Sequence, residues 1–179
     1  MSTVILMGSP RVNGLSAKCA KELQKGFEQA GQDAKTINLY EKEIDLCDAC
    51  GEGWGLCPQG KCIKKDDFME VYRDIKRADI LAVVSPVYWH DASEKMKSLL
   101  DRIRRCDLRE GNHWLKGKKG IILAVAGGTG NGIIRCLEHL AYTLSLLEVE
   151  VKERLPITRY SQKYMFEILE EAAYLLATT

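Results

Sequence analysis

The sequence predicts a three-layer α/β domain: a five-stranded parallel sheet, doubly wound by helices, in the strand order 2-1-3-4-5. Three observations carry that prediction. Short apolar runs alternate with helical stripes along the chain, as successive strand-helix-strand units do. Two of the runs, Ile80 to Val84 and Gly120 to Ala126, are almost wholly aliphatic, which suits strands covered on both faces. Several runs end in loops rich in Gly, Ser, Pro or Asn, and an open α/β sheet binds ligands at the carboxyl ends of its strands. In this order the switch point lies between strands one and three, so their loops flank one crevice and the loop after strand four lies beside them.

The elements follow from periodicity. Thr3 to Met7 is the first strand, stopped by Gly8-Ser9-Pro10, and Leu15, Cys19, Leu23, Phe27 and Ala30 recur at helical spacing up to Gly31. Ala34 to Leu39 reads as the second strand. Asp66-Asp67 opens a helix whose Phe68, Val71, Tyr72 and Ile75 face one way, and Ile80 to Val84 is the third strand. The next helix begins near Ala92, with Asp91 as its N-cap, and carries Met96, Leu99, Leu100 and Ile103. Gly120 to Ala126 is the fourth strand, followed by a stripe of Ile133, Leu137, Leu140, Ala141 and Leu144. Glu148 to Leu155 alternates like an edge strand, and Met165, Ile168, Leu169, Ala172 and Leu176 mark a closing helix. Residues 1–179 therefore read as a single domain, with a Cys-rich insertion at about 44–65.

Composition narrows the function. A net charge of +1, with Lys and Arg dispersed among Asp and Glu, gives no electrostatic footprint for nucleic acid or an anionic membrane. Ser2 to Met7 has no basic leader and is too short for a signal segment, so a cytoplasmic location is expected. Seven Cys in a chain able to build its own core argue against a disulfide framework.

Three loops carry the chemistry. Gly8-Ser9-Pro10-Arg11-Val12-Asn13-Gly14-Leu15-Ser16 stands where a helix begins, so backbone amides, hydroxyls and the Arg11 guanidinium can surround a phosphate. The plainer reading makes Asn13 or Ser16 a helix cap. Neither GKS/GKT nor GxGxxG occurs here, and a monophosphate fits better than a pyrophosphate. Pro86-Val87-Tyr88-Trp89-His90 places two large aromatics on a turn, where a flat ligand would cover them; the alternative is that they fold back into the core or a subunit interface. Gly127-Gly128-Thr129-Gly130-Asn131-Gly132 lets backbone approach a ring edge. A phosphate cradle, an aromatic turn and a glycine-rich edge on one crevice describe a site for flavin mononucleotide, FMN.

With these motifs, Gly8-Ser9-Pro10-Arg11 with Asn13-Gly14, Ser85 to Trp89 and the glycine cluster, the chain resembles the NAD(P)H-dependent FMN reductases and iron-sulfur flavoproteins of the flavodoxin-like fold, from residue 3 to about residue 155. The resemblance implies that Ser9, Arg11, Asn13, Gly14, Leu15 and Ser16 surround the ribityl phosphate. It implies that Pro86, Val87, Tyr88 and Trp89 line the isoalloxazine, and that Gly127, Gly128, Thr129 and Gly130 meet its pyrimidine edge. Leu15 replaces a polar residue often found there, so its contact would be through backbone N–H. A homodimer is also implied, and Trp54 and Trp114 are compatible with one.

Cys47, Cys50, Cys57 and Cys62 match the ligand count of a [4Fe–4S] cluster or a structural zinc; reduced thiols in a long loop are the third reading. The iron-sulfur flavoproteins usually have two residues in the second gap, where this chain has six, Gly51 to Leu56. Cys19, Cys136 and Cys106 are expected to be packing residues. Hydride transfer to flavin N5 needs no side-chain acid, so His90 is read as a positioning or incidental residue and no catalytic side chain is assigned. The expected activity is hydride uptake from NAD(P)H by FMN and delivery to a flavin, quinone or other small acceptor. The rival readings are an electron carrier between protein partners, with or without the cluster, and a redox sensor acting through the cysteine loop.

Overall fold

A computed structural model describes residues 1–107 and 113–179. The sheet contains β1 (Ser2–Met7), β2 (Asp33–Asn38), β3 (Ile80–Pro86), β4 (Lys119–Ala126) and β5 (Glu150–Thr158). All neighbours pair in parallel, in the order β2-β1-β3-β4-β5, as the alternation of runs predicts. The helices are α1 (Leu15–Gln29), α2 (Phe68–Arg77), α3 (Glu94–Asp107), α4 (Ile133–Leu146) and α5 (Gln162–Thr178). No helix among the described residues is long and apolar enough to cross a membrane.

Strand pleating divides the core in two. Val4, Leu6, Leu81, Val83, Ile122 and Ala124 face α2, α3 and α4, while Ile5, Met7, Ala82, Val84, Ile121 and Leu123 face α1 and α5. Because β3 and β4 are buried on both faces, their aliphatic runs supply both layers at once. The two outer helices pack closely: a Cβ on Gly26 of α1 would stand 2.1 Å from the Glu170 carbonyl of α5. That contact rotates α5, so its buried side is Met165, Leu169, Ala173 and Leu176, and Ile168 is exposed where periodicity put it inside.

Two boundaries differ from expectation. Glu148 adopts a left-handed φ of 56° in the turn that ends α4, and its carbonyl accepts from Gly117 N, so β5 begins at Glu150. Asp91 is not the cap of α3. That helix begins at Glu94, and the Ser93 carbonyl accepts its first-turn bond from Lys97 N at 2.8 Å. Asp91 is committed elsewhere: its N–H and carbonyl both pair with Tyr88, closing a tight turn.

Strand register brings the loops side by side. Met7 pairs with Val84 and Pro86 with Val125, and the pairing continues one step beyond, Gly8 N donating to Val84 O and Val87 N to Val125 O. The chain therefore leaves β1, β3 and β4 at one edge of the sheet.

Candidate functional site

The first loop delivers a bare helix terminus. Gly14 is the N-cap of α1, with no side-chain cap and no acidic residue in the first turn. Neither Asn13 nor Ser16 caps the helix through its side chain. The Ser9 Oγ instead accepts from Arg11 N at 3.3 Å, and Gly14 N donates to Arg11 O at 3.0 Å, curling the loop. Ser9 and Ser16 are buried, Arg11 and Asn13 are exposed, and Gly14 and Leu15 are half-buried at the entrance. First-turn amides without a side-chain partner, beside a mobile-length cation, form a natural seat for an anion.

The second loop is held in an uncommon shape. After buried Pro86 and half-buried Val87, the Tyr88–Asp91 turn puts Trp89 at φ 46° and His90 at φ 68°. Two adjacent non-glycine residues in the left-handed region cost on the order of 1–2 kcal/mol each. The turn presents Trp89 with 98% of its surface exposed and Tyr88 with 38%. Neither aromatic is folded back into the core of this chain.

The third loop meets the second. Gly132 has φ 79°, and a Cβ there would lie 2.7 Å from the His90 ring, so the missing side chain is what lets His90 rest on this backbone. His90 thus joins the two loops through packing. Asp91 extends the junction to α4 by pairing with His139 at 3.2 Å. Gly127 and Gly128 are different: both are exposed, neither has a left-handed φ, and a Cβ on either would meet nothing within 4 Å. Neither backbone shape nor packing within the chain requires glycine there. Thr129 beside them is exposed and Gly130 half-buried.

The cysteine insertion folds as a closed loop against α3. Asp67 N donates to Glu43 O, and Glu43 N donates back to the Asp67 carboxylate, both at 2.8 Å, while Asp45 N donates to the Asp66 carboxylate at 3.0 Å. Within it, Cys47, Cys50, Cys57 and Cys62 line one cavity together with Cys106, Arg102, Arg105 and Lys64. The six-residue second gap is taken up by a turn from Cys50 to Trp54, where Gly51, Glu52 and Gly53 all have left-handed φ values, and Ala49 in the first gap is left-handed as well. Trp54 is half-buried and lies 5.3 Å from the Arg105 guanidinium, so it covers α3 rather than projecting outward. Trp114 is half-exposed, with the Lys76 ammonium 5.0 Å from its ring.

Burial pushes the Cys57 thiol up, with Cys62, Cys50 and Cys47 adding to the shift. Burial likewise pushes Cys106 up to about 12. Among the described residues, no group of three or more His, Cys, Asp or Glu side chains closes on a point as a single metal ion requires. A four-iron cluster distributes its thiolate ligands over separate irons, and the cavity's donor set suits it: four loop cysteines with cations behind them. Spacing alone identifies neither Arg102 nor Cys106 as part of this cavity; on α3 they follow Leu99 by one helical turn and by two. Cys19 and Cys136 are buried away from it, and burial raises both to about 12.

Comparison with known proteins identifies the family and the fold. An iron-sulfur flavoprotein of Archaeoglobus fulgidus is 31% identical over 130 residues, covering 73% of this chain and 56% of the relative. An iron-sulfur flavoprotein of Methanocaldococcus jannaschii is 34% identical over 133 residues, covering 74% of this chain and 65% of the relative. The matched chain thus spans less than two thirds of the length of either relative. Among solved structures, the NAD(P)H:quinone oxidoreductase from Methanothermobacter marburgensis superposes with a TM-score of 0.79 at 21% identity, covering 98% of this chain and 96% of that one. An FMN-dependent NADH-azoreductase from Bacillus anthracis, solved in complex with FMN, gives 0.74 at 16% identity, covering 99% of this chain and 100% of that one. These two likenesses establish the flavodoxin-like fold. The family model for NADPH-dependent FMN reductase matches residues 1–155, and the chain belongs to that family.

Proposed function

We propose that this chain is an FMN-dependent oxidoreductase that draws hydride from NAD(P)H and passes the electrons to a small acceptor such as a flavin or quinone. The observation that carries the reading is the pair Gly127 and Gly128, whose missing side chains serve neither backbone conformation nor internal packing and leave room for a planar ring edge. FMN, when bound, supplies the ring that accepts the hydride and releases electrons.

The chain's own residues bind, orient and shield. Ser9, Asn13, Ser16 and the amides of Leu15 and Ser16 take the phosphate around Gly14, whose own N–H is held by the Arg11 carbonyl, and Arg11 adds a charge-assisted bond at the mouth. Pro86, Val87, Tyr88 and Trp89 line the ring, with the tight turn holding Trp89 outward where a second flat molecule can also stack. Backbone N–H groups of Gly127, Gly128, Thr129 and Gly130 offset negative charge at the pyrimidine edge. His90 supports the junction with Gly132 and moves no proton. A second copy of the chain would complete the shelter over the exposed turn, in keeping with a homodimer.

A second route for the electrons is favoured by a separate observation, the convergence of Cys47, Cys50, Cys57 and Cys62 on one cavity. These four residues would hold a [4Fe–4S] cluster, which supplies a one-electron centre beside a two-electron flavin. The names of the curated relatives support this assignment. The test is an anaerobic absorption spectrum with iron and sulfide analysis, followed by titration with NADPH and NADH. Flavin bands that bleach on titration support the oxidoreductase, and stoichiometric iron supports the four-cysteine centre. A protein that binds no FMN refutes the central reading.

A further inference from the structure

Arg102 is an arginine inside a hydrophobic layer, with its side chain 1% exposed. Its guanidinium lies 4.2 Å from the centre of the Phe68 ring. It pairs with Asp66 through Nη1 at 2.5 Å and Nη2 at 2.8 Å, and donates to the Asp45 carbonyl at 3.2 Å. Nη2 also donates to the Sγ of Cys62 at 3.3 Å. The Nε–H is buried and has no partner among the described residues.

Burying such a group is unfavourable unless its hydrogen bonds are met, and an Nε–H left over is an unfilled demand at the wall of the cysteine cavity. The base of the loop has one tie independent of Arg102, the Glu43–Asp67 exchange; the second, Asp45 N on the Asp66 carboxylate, shares its acceptor with the Arg102 fork. Beyond these ties Arg102 supplies a directed N–H on the Cys62 sulfur, held in place by the Asp66 fork.

We propose that Arg102 is a positioning residue for the four-cysteine centre, fixing the Cys62 thiolate and setting the reduction potential of the cluster it ligates. The proposal deepens the four-cysteine reading and rests on it. Hydrogen bonds to ligand sulfurs and nearby positive charge draw electron density from the cluster and favour its reduced form. Asp66 offsets the net charge but locks the planar fork, so the donors keep their aim.

The test compares the full chain with Arg102→Lys and Arg102→Met after anaerobic reconstitution with iron and sulfide. Bound FMN and far-UV circular dichroism report folding, iron and sulfide content reports loading, and a redox titration followed by electron paramagnetic resonance reports the potential. Arg102→Met is expected to disfavour the reduced cluster about tenfold, a shift of ~59 mV to more negative potential for a one-electron couple. Arg102→Lys keeps the charge but loses the fork, and a smaller shift in the same direction is expected. Unchanged potentials in both loaded variants overturn the proposal. Loss of iron from both with FMN retained also overturns it, making Arg102 a strut of the loop. If the unmodified chain takes up no iron, the four-cysteine reading itself fails and the proposal falls with it.

Discussion

Replacing Gly128 by Ala separates ligand binding from folding more cleanly than any other change in the site. The added Cβ meets no protein atom within 4 Å and the backbone φ is not left-handed, so nothing in the chain opposes it. Removing glycine's freedom in the unfolded state should stabilise the fold by about 0.4–1 kcal/mol. The same methyl group stands where the flavin edge is expected to approach the backbone. Displacing the ring by the width of a methyl group breaks one or two N–H bonds to it, at about 1–3 kcal/mol. At 1.4 kcal/mol per tenfold, FMN affinity should fall about 5- to 150-fold. Quenching of FMN fluorescence gives the affinity, and urea unfolding of the FMN-free protein gives the stability. Unchanged affinity would refute the placement of the ring against this loop. A loss of stability would refute the claim that the space is open. Gly132→Ala is the counter-case: with φ 79° and the His90 ring 2.7 Å away, it should destabilise the FMN-free protein as well, by at least the ~1–2 kcal/mol of a left-handed alanine.

Arg11→Ala should weaken FMN by about 1–3 kcal/mol but leave riboflavin, which has no phosphate, unaffected; equal losses for both would place Arg11 away from the phosphate. Trp89→Ala should leave the urea midpoint unchanged, since the side chain is 98% exposed, while altering the apparent KM for NAD(P)H or acceptor; unchanged kinetics would remove Trp89 from the stacking surface. Burial acts to raise the Asp66 carboxyl, but hydrogen bonds from Arg102 and the amide of Asp45 outweigh it and hold the group below its ordinary range. The unfolded chain therefore takes up this proton at a higher pH than the native one. The resulting stability is fully present above the unfolded pKa of ~3.9 and is lost as pH falls through the lower native value. Asp66→Asn should flatten this acid limb in urea midpoints measured from neutral pH downward, and an unaltered limb would show that other groups dominate it.

Much of the candidate site was legible because its parts are local. A Gly-Ser-Pro loop before a helical stripe, an apolar run ending in Pro86-Val87-Tyr88-Trp89 and a run of glycines after Ala126 each announce a strand end by composition. Parallel pairing then places such ends at one edge, since all five strands point the same way. The cysteine loop was half legible. Its spacing gave a ligand count, but six residues in the second gap left iron-sulfur, zinc and plain thiols open. Convergence depends on the left-handed positions Gly51, Glu52 and Gly53 that fold the gap back, and residue spacing does not report them.

The helix cap at Asp91 shows the limit of local rules. Asp91-Ala92-Ser93-Glu94 has the residues of a capping motif, but the tight turn with Tyr88 claims Asp91 first. Periodicity in α5 placed Met165, Leu169 and Leu176 inside, as they are, but missed Ile168: apolar residues run around much of this helix, and its packing against α1 at Gly26 leaves Ile168 exposed. By itself the sequence determined the order of elements, the sheet and the three loops, because hydrophobic period and turn chemistry act over a few residues. The tertiary structure decided what meets across the fold: His90 on Gly132, and Arg102 and Cys106 of α3 behind cysteines some forty residues earlier. Those contacts depend on how helices rotate and loops close on the sheet, and packing sets that rotation only when the whole core is assembled.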